Sequence, residues 1–170
     1  MKLEIVTYPN PLLREKSAPI TEITSELRAL AKNMTETMYA ADGIGLAAPQ
    51  VGRNIRLIVV DVRQPEKYPG PQVLVNPVIE PLTDELVETE EGCLSVCELR
   101  SVVRRPARVR VTATDLDGKP VSFEAEDLMA VCLQHECDHL DGKLFIDYLS
   151  RLKRSLYESK LKKKLKQETK

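Results

Sequence analysis

At 170 residues, with 42% hydrophobic and 30% charged side chains, the chain can bury the core of one ordinary domain without disulfide or metal staples. No run approaches the roughly eighteen apolar residues of a membrane span, and residues 1–6 lack the long apolar segment of an export signal, so a cytoplasmic setting without membrane contact is expected. The net charge of −1 neither requires nor excludes nucleic acid as a partner.

Residues 1–6 read as an opening strand, and Pro9, Pro11 and Pro19 mark an irregular entry where helix is disfavoured. A helix is expected next. Thr24 or Ser25 can cap it, and Leu27, Leu30, Ala31, Met34, Met38 and Ala41 recur at three- and four-residue steps until Asp42-Gly43 stops it. Residues 43–50, Gly-Ile-Gly-Leu-Ala-Ala-Pro-Gln, read as a loop of small residues that allows close backbone approach to a strand or an extended ligand. Taken alone, packing is the better explanation. Residues 55–62, apolar and β-branched, read as a buried strand. Residues 73–79 and 85–90 are further strands, and 107–126 form a hairpin turning at Asp117-Gly118.

A second helix is expected from Ala125 or Asp127 to about Leu140, ended by Asp141-Gly142. It carries both histidines of the chain, in Gln134-His135-Glu136-Cys137-Asp138-His139. A spacing of four puts two imidazoles one turn apart on one helix face. There they can share a metal, with Glu136 beside the open position and a metal-bound water as the implied nucleophile. Such pairs also occur for packing alone, and the pattern still needs a third ligand. Leu128, Val131 and Cys132 precede His135 by seven, four and three residues, so they share its face and either line an apolar pocket or fill the core.

Cys93, Cys97, Cys132 and Cys137 are expected as free thiols. Cys93, within Glu91-Gly92-Cys93-Leu94-Ser95, is the strongest candidate for the third ligand, and the other three compete with it. The tail is helical in composition. Residues 151–170 carry a surplus of seven positive charges, which leaves −8 on the first 150, and a basic tail on an acidic body points to a partner for the tail. Leu152 and Leu156 share a face with Leu149, whereas Leu161 and Leu165 join Tyr157 on nearly the opposite side. The first half is therefore expected to dock and the second to project.

Three segments together resemble peptide deformylase, the metal-dependent hydrolase that removes the formyl group from the N-terminal methionine of new bacterial proteins: residues 43–50, 91–95 and 134–142. Similarity extends from the N-terminus through Leu149. The resemblance implies an α+β fold with mixed or antiparallel sheets around a central metal-bearing helix, followed by a C-terminal helix. It implies one deformylase domain over 1–170, with a catalytic body to residue 150 and a basic tail beyond.

It further implies that Cys93, His135 and His139 bind the metal and that Glu136 is general acid and base. Gln50 and the Leu94 backbone amide would hold the oxyanion, and backbone groups at Ile44 and Gly45 would pair with the N-formylmethionyl peptide. The implied metal is Fe(2+), with zinc, nickel or cobalt as substitutes, and the tail would contact the ribosome. On this reading Leu128, Val131, Cys132 and Ile44 form the methionine slot, and the small-residue loop shifts from packing toward substrate contact. One departure stands out: where the family usually has proline after an aliphatic residue, the chain reads Val96-Cys97-Glu98. The rival readings are a zinc peptidase of the His-Glu-x-x-His type and a metal-binding, ribosome-associated protein without catalysis.

Overall fold

Burial of a strand on both faces organises the molecule. In the computed structural model, which describes residues 1–169, β2 (Leu57–Val60) has all four residues fully buried. Ile58 and Val60 join a core against the second helix, while Leu57 and Val59 join a core against the first. Side chains alternate across a strand, so covering both faces requires the continuous apolar run seen in the sequence.

β2 sits in a five-stranded sheet of order β1-β2-β3-β6-β7, with β1 Gly45–Ala47, β3 Gln72–Pro81, β6 Arg108–Thr114 and β7 Pro120–Glu126. A separate two-stranded sheet joins β4 (Leu86–Cys93) to β5 (Val96–Pro106). Every strand pairing is antiparallel. Helix α1 (Ser25–Ala40) covers one face of the larger sheet and α2 (Asp127–Leu140) the other. A third core gathers Leu13, Val96, Val103, Leu144, Phe145, Ile146 and Tyr157, and α3 (Arg151–Glu168) closes the chain.

Local chemistry explains the helix limits. Thr24 caps α1 by accepting from the Leu27 amide at 3.1 Å, a contact worth about 1 kcal/mol. At its other end Asp42 takes the left-handed φ of 56°, and the Gly43 amide donates back to Met38 at 2.9 Å. Ala41 is the exposed cap and not part of the buried face. Past α2, Gly142 has φ 73°, and a Cβ there would overlap the Arg14 carbonyl. Only glycine meets both demands.

Four expectations change. Residues 43–50, expected as a loop, form β1 and the 3-10 turn Ala48–Val51, because the Gly45–Ala47 backbone pairs with β2. Residues 1–6 form no strand; their amides bond to scattered partners, Leu3 to the Thr37 hydroxyl and Val6 to the Gln50 carbonyl, so no ladder forms. β5 is a strand that periodicity did not mark, because its arginines and glutamate lie on a hairpin with extensive solvent exposure. The tail docks through the opposite stripe from the one expected. Tyr157 is 8% exposed and Leu161 packs beside it, whereas Leu152 and Leu156 are 69% and 58% exposed. Tyr8 decides this by packing on Tyr157 at a ring separation of 6.4 Å and donating its hydroxyl to Glu158 at 3.0 Å. Lys170, the end of the expected tail, lies outside the described residues.

Candidate metal centre

α2 presents its histidines toward the end of β4. The ligating atoms of Cys93, His135 and His139 lie within 4.8 Å of one another, and Cys93 Sγ stands 3.4 Å from His139 Nε2. Among the described residues this is the group of three such side chains that could hold a metal. Of the competing thiols, Cys97 is exposed. Cys137 is buried in the core between α2 and the sheet, and Cys132 sits against the Ile44 carbonyl, with Sγ 3.5 Å away.

The register of β4 and β5 shifts between Gly92 and Cys93, and Cys93 pairs with Val96 across a tight turn at Leu94 and Ser95. That irregularity re-aims the Cys93 side chain out of the ladder and toward α2.

The donor set fits a divalent transition ion. One soft sulfur and two imidazoles suit iron(II) or zinc, and three protein donors leave room for a reacting water. His135 Nδ1 meets Glu91 Oε1 at 2.9 Å, which leaves its Nε2 for ligation. Burial, with the positive charge of Arg105, pushes His139 well below the ordinary imidazole range, which favours the neutral form that can ligate. Burial likewise pushes the Glu136 carboxyl up to about 7. Glu136 Oε2 is buried without a hydrogen-bond partner, the state expected of a carboxyl that exchanges a proton with something in the cleft.

The cleft itself has a volume of about 660 Å³ and is lined on one wall by Ile44, Gly45 and Gln50 and on another by residues 89–94. Leu128, Val131, Cys132, His135 and Glu136 form its α2 side. β1 is the edge strand of the larger sheet. The Asp61 amide donates to the Ile44 carbonyl at 2.8 Å, so by alternation the Gly45 amide and carbonyl turn to the open edge. Gly45 must also be small, since a Cβ there would stand 2.6 Å from Glu136 Oε1 and 2.9 Å from Cys132 Sγ.

Gln50 is buried and fixed at both ends of its amide. Its Oε1 accepts from the Ala47 amide at 2.9 Å, and its Nε2 donates to Ser95 Oγ at 3.1 Å and points to Cys93 Sγ at 3.6 Å. The structure thus brings Gln50, Leu94, Cys93, His135 and Glu136 around one cleft, with His139 buried beside Cys93. Leu128, at 36% exposure, stands at its mouth.

Sequence reasoning missed the polar support behind His135. Arg105, only 4% exposed, donates Nε to Glu91 Oε2 at 2.7 Å and Nη2 to Oε1 at 3.0 Å. Burial raises the Glu91 carboxyl, but the hydrogen bonds from His135 and Arg105 outweigh it and hold Glu91 below its ordinary value. Glu91 was visible in the motif with Cys93. Arg105, in a run of charges on β5, carried no local signal.

A site of this kind, with ligands on a helix and a buried carboxyl beside an open sheet edge, defines a metal-dependent hydrolase. Residues 2–155 match the model of the polypeptide deformylase family. The chain belongs to that family, whose members are enzymes that remove the N-formyl group from new proteins. Among its relatives, the peptide deformylase of Acinetobacter baumannii strain SDF is 51% identical over 165 residues, covering 97% of this chain and 93% of that protein. The peptide deformylase of Stutzerimonas stutzeri is 50% identical, covering 95% of each.

Solved structures agree. The crystal structure of a peptide deformylase from Legionella pneumophila matches with a TM-score of 0.88 and 41% identity over 100% of this chain and 99% of that one. The Ehrlichia chaffeensis peptide deformylase in complex with actinonin matches with a TM-score of 0.89 and 40% identity over 96% and 97%. The expected α+β architecture with a C-terminal helix is the one found.

Proposed function

We propose that this chain deformylates N-formylmethionyl peptides with a metal held by Cys93, His135 and His139, Fe(2+) being the native ion and zinc, nickel or cobalt able to replace it. When bound, the ion supplies the Lewis acidity that makes water nucleophilic near neutral pH. Glu136 takes a proton from the attacking water and returns it to the leaving amine, and its carboxyl, raised to about 7, suits both transfers. The Gln50 side chain and the Leu94 amide donate to the formyl oxygen as it gains charge. The single observation carrying the reading is the convergence of Cys93, His135 and His139 within 4.8 Å beside the unpartnered Glu136 oxygen.

The substrate lies along β1. Backbone groups at Ile44 and Gly45 align it, with Gly45 offering both polar groups on the open edge, and Leu128, Val131, Cys132 and the Ile44 side chain receive methionine. An apolar slot with few polar groups suits a long, unbranched side chain. Residues 1–150 act as the catalytic body. The basic tail, 151–170, meets ribosomal phosphates, and the protein works in the cytoplasm; no described helix is long and apolar enough to cross a membrane. Tail binding that fails to weaken as salt rises would count against phosphate as the target.

The test is anaerobic hydrolysis of formyl-Met-Ala-Ser with metal analysis. Glu136→Ala should keep its metal and lose turnover, while Cys93→Ser should lose iron. Most of the activity surviving in Glu136→Ala would remove the proton shuttle, and equal cleavage of unformylated peptides would favour a peptidase.

A further inference from the structure

Behind the ligand pair a chain of polar groups runs from the metal centre to the surface through residues that take no part in the reaction described above. His135 Nδ1 meets Glu91 at 2.9 Å, Glu91 takes two bonds from Arg105, and Arg105 Nη1 donates to Asp138 Oδ2 at 2.9 Å. The Tyr148 hydroxyl donates to the same Asp138 oxygen at 2.8 Å. The Tyr148 ring also covers the guanidinium, with Arg105 Cζ 4.9 Å from the ring centroid. Tyr148 belongs to the short 3-10 turn Phe145–Tyr148, and the other end of that turn reaches the same ligand: the Phe145 ring stacks on His135 at 6.1 Å and 28°. One turn after the metal helix therefore touches His135 directly and, through four side chains, from behind.

Resting on the assignment of Cys93, His135 and His139 as ligands, we infer that Asp138 and Tyr148 are positioning residues for the metal centre, holding Arg105 and Glu91 so that the His135 ring keeps its orientation. Arg105 and Glu91 are a buried pair, and such a pair is rigid only while its remaining donors are satisfied and water is kept out. Asp138 satisfies the Nη1 donor, and the half-exposed Tyr148 ring shields the guanidinium face from solvent. Asp138 sits one residue before His139 on α2, so the same helical turn carries a ligand and the anchor of the network. Without the anchor, Arg105 can swing toward water and Glu91 loses the partner that fixes the oxygen facing His135. Outer hydrogen bonds of this kind typically change metal affinity by about ten- to a hundredfold.

The experiment uses the full chain loaded with cobalt(II), following the visible spectrum and the rate of cobalt transfer to an excess of chelator, alongside thermal unfolding of the metal-free protein. Asp138→Asn should release cobalt about tenfold faster or more, and Tyr148→Phe, which keeps the ring and loses the hydroxyl, should release it faster by a smaller factor. Tyr148→Leu, losing both, should exceed Tyr148→Phe. All three should alter the cobalt absorption bands, and kcat should fall more than KM rises. Unchanged spectra and wild-type release rates in Tyr148→Phe and Asp138→Asn would overturn the inference, even if melting temperatures fall, because that is the signature of a merely structural role. If Asp138→Asn does not fold, the two Tyr148 variants decide. Failure of the ligand assignment looks different: wild-type protein would then show no thiolate-to-cobalt absorption, or Cys93→Ser would keep cobalt as well as wild type, and the inference would fall with it.

Discussion

Helices α2 and α3 lie next to one another in sequence and obey opposite rules. Ten of the fourteen residues of α2 are buried, including both histidines and Glu136, whereas Tyr157 is the one buried residue described in α3. α2 is apolar on nearly every side because sheet and hairpin enclose it, and its polar groups survive there only with partners or with a task. α3 is dressed in lysine and held by a narrow stripe. Burial, then, marks the helix on which the metal site is proposed, and charge marks the one proposed to meet a partner.

The sharpest way to break this contrast is Glu136→Ala. Loss of the proposed general acid and base should cost about 10²–10⁴ in rate, and the melting temperature should change little or rise, since a buried carboxyl oxygen without a partner costs stability. Steady-state kinetics with calorimetry on one sample checks both halves. Leu133→Ala comes next. This fully buried side chain should leave a cavity costing about 3–4 kcal/mol, read by urea unfolding, with metal content as the secondary readout.

Tyr157→Ala should cost about 3 kcal/mol, as for a large aromatic in a core, while Leu152→Ala and Leu156→Ala stay within about 0.5 kcal/mol. Equal effects from the two stripes would dissolve the distinction drawn for α3. The smallest expected effect concerns the anchor just before α3. Burial raises the Asp147 carboxyl, but the Arg14 guanidinium at 2.7 Å and the Leu144 amide at 3.0 Å outweigh it. Its folded value therefore lies below the ordinary one. Asp147 stabilises the protein above the unfolded carboxylate range and loses that contribution as pH falls through its folded value. The melting-temperature gap between wild type and Asp147→Asn should accordingly narrow as pH drops from about 6 to about 3, measured by scanning fluorimetry.

How much of this was readable beforehand depends on the range of the interaction. α1 was legible from Thr24 to Asp42 because capping and a 3.6-residue period are local. β2 was legible because a strand covered on both faces must be apolar throughout. β5 escaped because its face pattern answers to β4 and to solvent, and the opening residues escaped because β-branched composition does not create a neighbouring strand to pair with. At the site, Gln50, Cys93, His135, Glu136 and His139 were given roles from motifs, whereas Arg105, Tyr148 and Asp138, though it stands inside a motif, were not, since their meaning lies in partners 10 to 33 residues away.

The order of residues alone determined that His135 and His139 would face one way with Glu136 between them, because helical pitch sets directions over four residues whatever surrounds them. Only the tertiary structure decided which of four thiols joined that pair and which stripe of α3 met the body. Those outcomes depend on a register shift at the end of β4 and on Tyr8 arriving beside Tyr157, contacts between segments whose approach no local periodicity encodes.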